Sequence, residues 1–169
     1  MRKYFIYLIL YSVGGFILER IINLIAYGKY LDNSVLYGPW QPLYGAGIVM
    51  AIIIYDKYIK KNVRGFIKSN ILLLFVAIIT TAISEAVTGF GYEYLTGRML
   101  WDYREFFSCS IPYVCIVPTG LFGLFSYLII KFVHPFVKIF IALVPRFVSR
   151  IIIIIFIIDV VITYITKLS

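Results

Sequence analysis

Five runs of the chain are apolar for as long as a helix needs to cross a bilayer, and no other property of the sequence limits its fold so strongly. They cover residues 3–27, 43–59, 69–95, 111–133 and 149–165. Crossing ~30 Å of hydrocarbon takes ~17–25 helical residues. A lone strand in lipid leaves its backbone N–H and C=O groups unpaired, so these runs are expected to be α-helices. The chain is 62% hydrophobic and only 14% charged, with a mean hydropathy of +0.96. Soluble domains are ~25% charged, and 169 residues offer no core large enough to hide this much Ile, Leu, Phe and Tyr. The expected fold is a single all-α transmembrane domain over residues 1–169.

The formal net charge of +8 does not point to nucleic acid. The basic residues flank apolar runs, where they set topology and meet anionic headgroups, and no phosphate loop or RNA-binding aromatic box accompanies them. Arg2 and Lys3 start the chain; Lys57, Lys60, Lys61, Arg64 and Lys68 fill the second connection; Lys131, Lys138, Arg146 and Arg150 flank the fourth. The other connections hold only Lys29, Arg98 and Arg104. This bias predicts a cytoplasmic amino terminus. The opening residues resemble a signal peptide but lack a small-x-small cleavage site, so a retained first helix is expected. Residues 135–147, apolar with interspersed Lys138 and Arg146, read as a short interfacial helix on the cytoplasmic side.

Both outer connections are too aromatic to be simple linkers. LDNSVLYGPWQPLYGAG and TGRMLWDYREFFSCSIPYVCIVP read either as re-entrant segments, which need cover from protein or water, or as an aromatic belt at headgroup level. Cys109 and Cys115 lie in the second, either bridged or free; no C-x-x-C or Cys/His array makes a metal site of them. His134, the only histidine, reads as a helix-terminus residue.

The carboxylates form a ladder. At ~1.5 Å per residue, Glu19 and Glu85 lie ~22 Å from the inner ends of their spans and Asp159 ~15 Å; Glu93 and Asp102 fall at or beyond the outer boundary. An intramembrane charge costs ~2.5–3.5 kcal/mol on insertion scales, so it needs a partner or a wet cavity. Arg20 and Asp159 are therefore candidates for structural ion pairs, Arg20 with Glu85 or Asp159. The competing expectation is an outward-facing polar pocket: Glu19, Glu85, Glu93 and Asp102 supply charge, Tyr44, Trp101 and Tyr103 stacking or hydrogen bonds, and Gln41 orientation. Such a site favours a cationic group. Thr80, Thr81, Ser84 and Thr88 add hydroxyls nearby. No nucleophile–base motif, zinc motif or nucleotide-binding motif is present, and no cofactor is expected.

Five elements in order, YSVGGFILER, YGPWQPLYGAG, EAVTGFGYEYLTGRMLWDY, GLFGL and HP, make the chain resemble the bacterial membrane proteins described as putative ABC-transporter type IV, or ABC transporter permeases. The spacing Glu85, Glu93, Trp101–Asp102–Tyr103 matches that family, and the likeness covers residues 8–136. Arg104 stands where the family usually has Ser, and CSIPYVCIVP replaces a Gly-Arg-Ile-Cys-like run. The resemblance implies a multi-pass protein of the bacterial plasma membrane, with transport of a polar or cationic small molecule and an ATPase or other membrane subunit as partner. The alternative expectation is a membrane-embedded enzyme or lipid-handling protein of the outer leaflet, using its carboxylates as acid and base on a lipid headgroup.

Overall fold

The computed structural model describes residues 2–29, 34–107 and 109–168. Among them every regular element is helical. Five helices are long and apolar enough to span a membrane: α1 (Arg2–Tyr27), α2 (Pro42–Asn62), α3 (Phe66–Thr96), α5 (Ile116–Leu143) and α6 (Arg146–Lys167). A short α4 (Tyr103–Phe107) lies between α3 and α5. Large apolar side chains stand fully in the open on the spans, Ile116 at 91% and Ile25 at 80% exposure, which only a lipid surround makes tolerable.

The helices run past most of the sequence-derived boundaries; the fourth starts later than expected, at Ile116 rather than 111, and runs on to Leu143 rather than 133. Residues 134–143 are helical, but they continue the preceding span rather than starting a separate helix. A proline inside a helix removes a hydrogen bond and crowds the preceding turn. Here the turn before Pro135, Ile129–Val133, is a wide π-turn, in which the His134 N–H reaches back to the Ile129 carbonyl. That widening absorbs the proline without ending the helix. The break comes instead at Val144–Pro145.

The chain divides into two compact units, Met1–Gly45 with Ile139–Ser169, and Ala46–Lys138. In the first unit α1 packs against α6. Ile9, Leu36 and Phe156 form a buried cluster with Leu8, Trp40, Ile152 and Ile153 around it, and Trp40 meets Phe156 edge to face at 5.6 Å. Gly45 lies against the Leu8 carbonyl and the Ser12 hydroxyl, leaving no room for a Cβ. The Ser12 carbonyl accepts the Gln41 N–H at 2.9 Å, so the two motifs YSVGGFILER and YGPWQPLYGAG are joined through their backbones.

In the second unit α3 and α5 make the main contact. It is close because Gly123 of α5 sits directly on Ile78, the small-residue packing that helices use in lipid. Gly47 of α2 rests against Thr81 and Ser84 of α3. At its outer end α3 stops at Gly97, whose φ of +69° gives the left-handed cap and whose N–H bonds the Glu93 carbonyl.

Candidate functional site

α3 carries its acids on the side where the 97–115 segment folds back over it. The segment is fixed by its own bonds: the Tyr103 N–H donates to the Pro112 carbonyl at 2.8 Å, and Cys109 and Cys115 form a disulfide. Two tyrosines then reach the helix. Tyr103 donates its hydroxyl to Glu85 Oε1 at 3.0 Å, and Tyr113 donates to Glu93 Oε2 at 2.8 Å.

Glu85 is 1% exposed, within a membrane-spanning helix. Its second oxygen accepts the hydroxyl of Thr119 from the first turn of α5, and the Thr119 oxygen in turn accepts the Cys115 N–H at 3.1 Å. The expected arginine partner is replaced by two neutral hydroxyls. They suffice geometrically because α5 and the returning segment converge on the same point of α3.

Tyr113, wholly buried, is the pivot of the outer cluster. Its ring lies over Gly89, where any Cβ would collide with it. It meets Phe90 at 4.9 Å and Trp101 at 5.6 Å, both edge to face, and its carbonyl accepts the Trp101 indole N–H at 3.4 Å. Lost hydration, then the hydrogen bond to Glu93, push its hydroxyl up to about 12. An unfolded tyrosine ionises near ~10. Its contribution to stability is therefore complete below ~10 and is lost as pH rises through about 12. In a Trp40→Phe background, which leaves Trp101 as the sole tryptophan, its fluorescence is expected to change with a midpoint near that pH. The same step is expected to be absent in Tyr113→Phe.

Asp102 lies at the rim, 18% exposed in its side chain, and takes a forked contact from the half-exposed Arg104 at 2.6 Å. The Arg104 hydrogen bonds hold the Asp102 carboxyl below its usual range and raise the guanidinium above its own. Arg104 thus neutralises one of the acids.

The structure therefore brings together Glu85, Glu93, Trp101, Asp102 and Tyr103. Glu19, Gln41 and Tyr44 belong to the first unit. There the ring of Tyr44 fills the space over Gly15, Gln41 engages through its backbone N–H, and the Arg20 guanidinium lies 4.1 Å from the Phe16 ring.

Asp159, expected as half of an ion pair, is instead received by a nest of neutral donors: the N–H groups of Tyr37 at 3.2 Å and Gly38 at 2.8 Å, the Trp40 indole N–H, and the Thr163 hydroxyl. The residues that sequence reasoning missed are Thr119 and Tyr113 for the α3 acids, and Tyr37–Trp40 for Asp159. The YGPW turn was the visible signal for the last: glycine and proline interrupt regular structure there, leaving the N–H groups of Tyr37 and Gly38 free to meet an acceptor. Among the described residues no group of three or more His, Cys, Asp or Glu is placed to hold a metal ion.

Five apolar spans, with a buried acid in the third tied to a stapled extramembrane segment, define a polytopic α-helical membrane protein. The chain belongs to the family described as putative ABC-transporter type IV, whose model matches residues 6–166. No curated protein and no solved structure matches it.

Proposed function

We propose that the chain is a permease-like component of a bacterial plasma-membrane transporter, with its amino terminus cytoplasmic, that receives a polar or cationic small molecule at the Glu93–Trp101–Asp102 face. Family membership supports the transport reading. With no nucleotide-binding motif in its sequence, the chain relies on a separate ATPase subunit for energy.

The observation that carries the ligand class is the aromatic setting of the acids. Asp102 follows Trp101, whose ring packs on Tyr113, and Tyr113 holds Glu93. A cation entering here meets carboxylates and ring faces together. Exposed ion pairs contribute little, so a ligand ammonium can displace the Arg104 guanidinium from Asp102 at small cost.

Purification from native membranes is expected to bring down an ATP-hydrolysing subunit. Tetramethylammonium is expected to raise the thermal midpoint of the isolated protein, and Asp102→Asn to abolish that rise. Purification without an ATPase, together with an unchanged midpoint, sinks the reading.

A further inference from the structure

Seven lysines and arginines of the second unit gather where α2 ends and α3 begins, against a single carboxylate. Lys57, Lys60, Lys61, Arg64 and Lys68 lie along the connection, Lys131 and Lys138 on α5, and the acid is Asp56. α5 reaches the connection at two places. The Lys138 ammonium lies 3.6 Å from Asp56, and the Lys131 ammonium lies 5.3 Å from the ring of Phe66, the first residue of α3. Asp56 is thereby taken, and among the described residues no carboxylate pairs with the other six cations. Positive-inside bias fixes the side on which a connection lies; it does not require a lysine of a distant helix to fold onto that connection. Like charges assembled in this way repel unless an anion from outside the chain joins them.

The charge is interleaved with large apolar side chains held in the open. Phe66 is 78% exposed, Ile67 72% and Phe132 64%. Phe66 and Ile67 stand between Arg64 and Lys68 in the chain, and Phe132 follows Lys131. A soluble anion covers the cations and leaves these side chains uncovered. A phospholipid covers both, because it carries its phosphate beside its acyl chains.

We propose that this surface, at the far end of α3 from Glu93, binds anionic phospholipid, with phosphate on the cations and acyl chains against Phe66, Ile67 and Phe132. The headgroup supplies the counter-charge that the chain lacks here and bridges α5 to the α2–α3 connection. The surface is separate from the Trp101–Asp102 face and stands or falls without the permease reading.

The test uses the full chain in lipid discs, with Phe66→Trp as reporter in a Trp40→Phe, Trp101→Phe background. Brominated acyl chains quench a tryptophan that they touch. At equal mole fraction, brominated phosphatidylglycerol is expected to quench the reporter with roughly tenfold or greater preference over brominated phosphatidylcholine. Lys131→Gln is expected to lower that preference about fivefold. Asp56→Asn removes the one acid and is expected to raise it; a merely structural role would not move the two variants in opposite directions. Asp56→Asn also keeps the test decisive if a charge-removing variant does not fold. Equal quenching by the two lipids overturns the proposal and leaves the surface to an acidic protein. A preference that survives Lys60→Gln, Lys61→Gln and Lys131→Gln together overturns it as well. So does one that inorganic phosphate abolishes at constant ionic strength, since that marks a site for a soluble anion.

Discussion

Asp159→Ala is expected to destabilise the detergent-extracted protein by about 3 kcal/mol, since three N–H donors lose their common acceptor and each stranded donor costs ~1 kcal/mol or more. The donors are the backbone N–H groups of Tyr37 and Gly38 and the indole N–H of Trp40. At this chain length the loss corresponds to a fall in thermal midpoint of roughly 10 °C. The 35–40 segment is further tied to α6 by the Tyr37 hydroxyl at Thr166, 3.0 Å away, and by Lys167, which donates to the Val35 carbonyl and lies 3.9 Å from the Tyr37 ring.

Those anchors span eight residues, Asp159 to Lys167, or ~12 Å along the helix. Residues 35–40 thus run back along α6 instead of standing away from it. Trp40→Phe keeps the edge contact with Phe156 and removes only the indole donor, so its cost is expected to be about 1 kcal/mol. The double variant is expected to cost less than the sum, because both changes break the same bond. An Asp159→Ala midpoint within a degree or so of the parent would show that the nest carries no stability.

The same residue shows where the sequence was readable and where it was not. Hydropathy alone gave the number of spanning helices, five, because the length of hydrocarbon to be crossed sets the length of each run. The α3 pattern was also legible: Glu85 and Glu93, eight apart, share a broad face of one helix, and the structure shows both facing tyrosines of the returning segment. What sequence could not supply were the partners. The expectation that an intramembrane acid seeks an arginine follows from charge, but hydrogen bonds from neutral groups serve as well where backbone geometry delivers several at once. That geometry depends on the YGPW turn meeting α6 across 119–122 residues of sequence, a separation no local pattern encodes. The continuous helix through Pro135 is hidden for a related reason: proline disrupts an ordinary α-turn, and the π-turn ahead of it that accommodates it is invisible in the sequence.

Two glycines in α3 give opposite expectations for the same substitution. Gly91→Ala is expected to stabilise the protein by about 0.5–1 kcal/mol. Nothing lies within 4 Å of the Cβ it would add, and alanine loses less backbone freedom than glycine on entering a helix. Gly89→Ala makes the same gain in propensity, but its Cβ would occupy the place of the Tyr113 ring.

The ring has no free direction in which to move, because Phe90 and Trp101 flank it edge-on and its hydroxyl is held at Glu93. Overpacking costs ~1–3 kcal/mol, and losing the Tyr113–Glu93 bond adds ~1 kcal/mol. Gly89→Ala is therefore expected to destabilise by about 2–3 kcal/mol net. Trp101 packs on the displaced ring and donates to the backbone carbonyl of the same residue, so Trp101 fluorescence should shift in Gly89→Ala and stay fixed in Gly91→Ala. Equal effects of the two changes would mean that Tyr113 does not lie on Gly89, and the outer segment would lose the contact that seats it against α3.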